Sequence, residues 1–232
     1  MEMTASKRSS EVAEMFGRIS RRYDLANTVL SLGVHHLWRR RLVRSIQQSA
    51  TSAVLDLCTG TGDLLAPLRK RSGYVVGADF SFGMLKVGRE RSKIGSSYEL
   101  VQGTALSLPF ADESFDAVTV AFGVRNFENL EVGLKEIRRI LKLGGKILIL
   151  EFGQPRGRLF GPFYRWYSAH VIPLLGGLIT GQREPYLYLL KTSAEFPCGK
   201  DFNSILERCG FLPEISVPLT FGIAFRYVAR KA

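Results

Sequence analysis

Two carboxylates separated by a glycine turn are the first residues in this chain that could do chemistry. The apolar run Val54-Leu55-Asp56-Leu57 opens into Cys58-Thr59-Gly60-Thr61-Gly62-Asp63, and a helical pattern follows. Nineteen residues after Gly60, a second apolar run, Tyr74-Val75-Val76-Gly77-Ala78, ends in Asp79. Glycines in such a strand–turn–helix unit remove the side chains that would keep a nucleotide-like ligand from the backbone. A carboxylate at the tip of the second strand can accept hydrogen bonds from both hydroxyls of a ribose.

The loop differs from two common nucleotide loops. A P-loop needs Gly-Lys-Ser/Thr after its last glycine, where this chain has Asp63. A dinucleotide fingerprint needs a third small residue at position 65, which is Leu65. An acid at the mouth of a helix repels a pyrophosphate and tolerates a cation. S-adenosylmethionine meets that requirement: it is a nucleoside with an ammonium and a sulfonium and no phosphate. Asp56, Gly60, Gly62, Asp63 and Asp79 are the residues this reading selects.

A third strand pattern, Phe115 to Ala121, runs into Phe122-Gly123-Val124-Arg125-Asn126, which should face the same crevice. Amino-directed nucleic-acid methyltransferases carry Asp/Asn-Pro-Pro-aromatic at that place, and this segment does not.

The elements that must position these residues alternate. Strand patterns fit 53–57, 74–79, 98–102, 116–121 and 146–151, and helical ones 63–71, 82–92 and 129–142, the last closed by Gly144-Gly145. Ahead of them, Ser9 or Ser10 can cap an amphipathic helix to about Ile19, and another spans His35 to Gln48. Residues 152–197, rich in aromatics, glycine and proline, read as a largely helical insertion that caps the site. A helix from Lys200 to Cys209 and two strands between Phe211 and Ala229 complete the chain. The expectation is one α/β domain over residues 1–232, with an amino-terminal helical cap at about 9–50. The core covers about 51–151 and 198–232, and the lid about 152–197. The fold class is a Rossmann-like, seven-stranded, mostly parallel sheet whose last strand is antiparallel.

Composition sets the outer bounds. A chain of 232 residues with 46% hydrophobic and 23% charged content can bury a sizeable core. Its three cysteines and three histidines do not cluster, so neither a disulfide framework nor a metal site is expected. Net charge is +11, much of it in Lys7, Arg8, Arg18, Arg21, Arg22, Arg39, Arg40, Arg41 and Arg44. Those clusters suit an anionic membrane face or RNA, or are simply solvated helix faces. The amino-terminal residues lack a signal-peptide core, and the apolar stretch from Leu159 to Thr180 is interrupted by charge and proline. A cytoplasmic protein, peripheral at most on a membrane, is therefore expected.

Two further segments narrow the class. One is Tyr23-Asp24-Leu25-Ala26-Asn27, followed by Ser31, His35 and Trp38; the other, Arg139 to Lys146, leads into a strand ending in Glu151. With the glycine loop, they resemble the menaquinone/ubiquinone-biosynthesis C-methyltransferase family from about Val12 to the last strand. Ala26, Leu143 and Gly153 depart from the family's usual Met, Pro and Ser.

The resemblance implies methyl transfer from S-adenosylmethionine to a ring carbon of a prenylated quinol. The acceptor is demethylmenaquinol, or the benzoquinol of the ubiquinone branch. By position it gives Thr61 and the loop glycines the methionine portion, Asp63 its ammonium and Asp79 the ribose, with Thr104 and Ala105 beside the adenine and Phe122 also in the cofactor set. Arg125 and Asn126 are the residues implied to polarise the quinol hydroxyl, and His35 and His170 are candidate bases. Tyr23, Tyr164, Tyr167 and His170 form the implied substrate lid. No metal and no nucleic acid is implied, and a homodimer is left open. A methyltransferase of another hydrophobic acceptor, an RNA methyltransferase and a silent assembly protein are the competing readings.

Overall fold

The computed structural model describes residues 2–47, 49–91, 98–155, 157–158 and 160–232, with side chains from residue 11 onward. The sheet begins with β1 (Ser49–Leu57), β2 (Ser72–Asp79) and β3 (Tyr98–Gln102). It continues with β4 (Phe115–Ala121), β5 (Leu141–Phe152), β6 (Phe211–Leu219) and β7 (Ala224–Lys231). Their order is β3-β2-β1-β4-β5-β7-β6. The first five are parallel, while β7 runs antiparallel to both β5 and β6. Successive residues of the central strands face opposite sides, and both sides are buried. Leu55, Val76, Val118 and Ile147 enter one core cluster with α5 (Leu130–Ile140) and α8 (Lys200–Arg208). Val54, Val75, Ala117 and Leu148 enter another with α2 (Val34–Arg44) and α3 (Leu65–Arg69).

The strand order reverses between β1 and β4, so a crevice opens at their carboxyl ends, where open α/β sheets bind ligands. Helix α1 (Glu2–Leu30) lies over that end and crosses α4 (Phe82–Arg91) where two glycines meet. A Cβ on Gly83 would stand 2.8 Å from the Gly17 Cα, so only glycine allows that approach. Helices α6 (Phe160–Thr180) and α7 (Glu184–Glu195) make up the insertion between β5 and α8. No helix among the described residues is long and apolar enough to cross a membrane.

Several boundaries differ from expectation. The first helix does not start at Ser9 or Ser10; α1 runs through both and on to Leu30, because packing of Val12 to Leu30 outweighs the local capping signal. Helix α2 stops at Arg44 rather than Gln48, which lies outside the described residues, as does Ser92 of the expected 82–92 helix. Helix α5 ends at Ile140, and Leu141 already pairs with Phe115 as strand. Gly144 therefore bends a strand and does not cap a helix.

Candidate functional site

The side chains that line the crevice come from strand ends and the loops that follow them, and from α1, α2 and α4. The Asp56 carboxylate, fully buried, accepts from Thr59 Oγ1 and Thr119 Oγ1, both at 2.6 Å. Asp79 accepts from the Gly60 and Ser81 backbone N–H groups, each at 2.8 Å. Burial pushes both carboxyls up to about 6; the Thr119 and Thr59 hydroxyls oppose this at Asp56, the Ser81, Gly60 and Phe80 amides at Asp79. Gly60 and Gly62 take φ of 59° and 84°, which turns the loop so that Gly60 N–H meets Asp79. Cys58 and Phe122 adopt positive φ as well (58° and 62°), a left-handed conformation that residues other than glycine take infrequently. Burial raises the Cys58 thiol well above its ordinary range, with Asp79 and Asp56 adding to the effect.

The rest of the rim comes from the amino-terminal helices. Thr61 Oγ1 donates to Asp24 of α1 at 2.8 Å, and Arg91 pairs with the same carboxylate. Arg39 of α2 donates to Asp63 at 2.6 Å and lies 5.9 Å from the Phe122 ring centre. Four carboxylates, Asp24, Asp56, Asp63 and Asp79, line this cavity, with Arg39 the single basic side chain among the described residues. A net acidic crevice in a chain of net charge +11 suits a small cationic ligand and disfavours a pyrophosphate. A second cavity, lined by Thr104, Ala105, Leu106 and Phe127, joins the first through Cys58, Asp79, Phe80 and Asn126. Asn126 Oδ1 is buried at that junction with no hydrogen-bond partner, an acceptor that a bound molecule can satisfy.

A family model described as the ubiE/COQ5 methyltransferase family matches residues 3–231. The chain belongs to that family. It is 42% identical over 94% of its length to the demethylmenaquinone methyltransferase of Thermus thermophilus, all of which is covered. It is 40% identical over 93% of its length to the ubiquinone/menaquinone biosynthesis C-methyltransferase UbiE of Bdellovibrio bacteriovorus, 94% of which is covered. Among solved structures, a SAM-dependent methyltransferase of Thermotoga maritima, a possible histamine N-methyltransferase by its description, aligns with TM-score 0.68 at 20% identity. That alignment covers 95% of this chain and 100% of the other. A putative methyltransferase bound to Trm112 from Haloferax volcanii aligns with TM-score 0.66 at 16% identity, covering 93% and 97%. At those identities the structures establish the fold alone.

Within this ubiE/COQ5-family chain, the expected cofactor residues converge. Asp56, Gly60, Thr61, Asp63, Asp79 and Phe122 line the acidic cavity, Gly62 turns the loop beneath it, and Thr104 and Ala105 line the second. Asp63 precedes rather than starts its helix, since α3 begins at Leu65.

The expected catalytic and lid residues do not converge. Arg125 and Asn126 are neighbours on the 3-10 turn Val124–Asn126, yet only Asn126 lines the crevice. Arg125 turns away, donating to the Phe122 carbonyl at 2.5 Å and to Glu151 at 2.7 Å, over the Phe152 ring. His35 lines neither cavity: it is buried against Ser31 (2.6 Å to Nδ1) and His36. Burial first, then Arg39 and His36, lowers it to about 3, which leaves it too weak a base for proton abstraction near neutrality.

Of the lid, only Tyr23 lines the crevice. Tyr164 stacks on Phe160, Tyr167 donates to the Leu30 carbonyl at 3.1 Å, and His170 lies exposed beside Trp166. The element over the described crevice is α1, through Phe16, Tyr23 and Asp24, because α6 spends its inner face on α1. Arg39 was legible only as part of a basic run; its pairing with Asp63 spans 24 residues, beyond any local pattern.

Proposed function

We propose that this methyltransferase transfers a methyl group from S-adenosylmethionine to a ring carbon of demethylmenaquinol, giving menaquinol and S-adenosylhomocysteine, with the proton of that carbon lost to water. The observation that carries the reading is Asn126 Oδ1, an unpartnered acceptor at the junction of an acidic cavity and a second one. Relatives named demethylmenaquinone methyltransferase at about 40% identity support the acceptor. Others named for both ubiquinone and menaquinone biosynthesis favour a second acceptor, the benzoquinol of the ubiquinone branch.

The acidic cavity fits the donor. Asp79 would bind the ribose hydroxyls, Asp63 and the Gly60–Gly62 loop with Thr61 the methionine end, and Thr104 and Ala105 the edge of the adenine. Bound there, S-adenosylmethionine supplies a methyl group on a sulfonium, an excellent leaving group. The protein's own part is alignment and activation of the acceptor. Asn126 Oδ1 accepts a hydrogen bond from the quinol hydroxyl beside the reacting carbon, which raises electron density there. Arg125 acts at one remove: held by Glu151, it fixes the turn that carries Asn126, and is a positioning residue. Cys58 lines both cavities, and burial favours its protonated thiol.

Demethylmenaquinol is a membrane lipid, so the reading includes a cytoplasmic protein that works at the inner face of an anionic membrane, and the basic helices support it. No nucleic acid is part of the reading. S-adenosylmethionine turnover on reduced demethylmenaquinol and its benzoquinol counterpart, followed by product mass, tests it.

A further inference from the structure

The surface of α1 and α6 carries large apolar side chains that the fold does not use. The two helices pack antiparallel: Arg22 reaches the Ile179 carbonyl at 3.1 Å near one end, and Tyr167 meets Leu30 near the other. Ala26, Leu30 and Ile172 are buried between them. Leu25 and Val29 of α1 are exposed, as are Phe163, Trp166, Leu174 and Leu178 of α6. Leu25 and Val29 each precede a contact residue by one position, Ala26 and Leu30; Trp166, Leu174 and Leu178 precede Tyr167, Leu175 and Ile179 in the same way. In two antiparallel right-handed helices, one step back from the contact turns to the same side of the pair. The two stripes therefore form one face.

Further exposed apolar side chains lie past the end of α1. Leu32, in the turn before α2, is 85% exposed, and Leu37 projects from the first turn of α2. Phe221, 78% exposed at φ 57°, lies 5.0 Å from Phe160 of α6, and its neighbour Thr220 accepts from Trp38 Nε1 at 2.9 Å. Leu37 shares the exposed side of α2 with Arg40, Arg41 and Arg44. Arg18, Arg21 and Arg39 each have a carboxylate partner, whereas these three have no ion pair among the described residues.

We propose that this face docks on an anionic bilayer. Leu32, Leu37, Phe221 and the α6 stripe enter the interface, while Arg40, Arg41 and Arg44 meet lipid phosphates one to two helical turns behind Leu37. The proposal deepens the quinol reading and rests on it, since a lipid-borne acceptor is met only at a bilayer surface. A second copy of the chain is the weaker occupant: an isologous contact would bring two sets of unpaired arginines together in a molecule of charge +11.

The test uses the full chain, with flotation on phosphatidylcholine vesicles with and without phosphatidylglycerol. Alongside it, turnover is measured with demethylmenaquinol in detergent micelles and in those vesicles. Two variants are compared, Leu32→Ser with Phe221→Ser, and Arg40→Gln with Arg41→Gln and Arg44→Gln. All these positions are exposed and outside the crevice, so circular dichroism and micellar turnover should match the parent. The parent should float only with the anionic vesicles. The arginine variant should partition roughly a hundredfold more weakly, and both variants should lose turnover in vesicles while keeping it in micelles. Failure of the parent to bind anionic vesicles, or binding by both variants equal to the parent's, overturns the proposal. A concentration-dependent dimer that Leu32→Ser with Phe221→Ser dissociates, with no vesicle binding, replaces it with self-association. If vesicle binding follows the expected pattern but micellar demethylmenaquinol is not methylated, the docking surface stands and the acceptor reading falls.

Discussion

Arg125 and Glu151 form an ion pair of 2.7 Å with side chains only 2% and 0% exposed. Glu151 also accepts from the Arg125 and Phe152 backbone N–H groups, at 3.3 and 2.8 Å. The pair thus ties the end of β5 to the turn that presents Asn126. Removing one partner strands a buried charge, which costs about 3–5 kcal/mol. Glu151→Ala should therefore lower the melting temperature by roughly 10 °C. Glu151→Gln, which keeps an acceptor, should lose less stability, and any remaining loss of kcat should exceed the change in KM for S-adenosylmethionine. A thermal melt and steady-state kinetics on both variants check this.

Asn126 bears the more direct prediction. Asn126→Ala removes the acceptor at the crevice junction and should cut kcat about a hundredfold, a hydrogen bond in a dry site carrying that much. Binding of S-adenosylmethionine by calorimetry should stay within a few-fold of the parent.

The two buried carboxylates predict a pH dependence. Burial raises Asp79 and Asp56 to about 6, so both gain protons as pH falls through that value. For a raised acid the sign is fixed. The ligand-free fold is most favoured by these groups at low pH and loses that contribution as pH rises from about 4 to 6. A cationic ligand that prefers the carboxylates shows the opposite trend. Affinity for S-adenosylmethionine should be level above pH 7 and fall by up to tenfold per unit per proton below about 6. Calorimetric titrations between pH 5 and 8 read this directly.

Gly83 predicts a separable effect. A methyl group there would press on the Gly17 backbone at 2.8 Å and lift α1 from α4. Gly83→Ala should keep the sheet and its far-ultraviolet dichroism but raise KM for S-adenosylmethionine several-fold, because Tyr23 and Asp24 ride on α1.

What the sequence reveals of this site follows from how local each feature is. Asp56, the glycine turn and Asp79 lie within one β-α-β unit, so their spacing already implies a ribose-and-backbone site. Arg125 and Asn126 could not be separated in that way. Adjacent residues on a 3-10 turn point to different sides, and the partner that captures Arg125 is 26 positions away. The aromatic insertion was readable as helical from composition, but its contact with α1 depends on Tyr167 finding a carbonyl 137 residues earlier. Likewise Gly144-Gly145 reads as a helix stop, and only the pairing of Leu141 with Phe115 shows that β5 has already begun.

The acceptor is the central claim, and product mass tests it most directly. Purified protein, S-adenosylmethionine and reduced demethylmenaquinol should yield a naphthoquinol heavier by one methyl group, and Asn126→Ala should suppress it. The benzoquinol counterpart, run beside it, shows whether one enzyme serves both branches. No methylated product from either quinol, with S-adenosylmethionine binding demonstrated in the same preparation, would contradict the account.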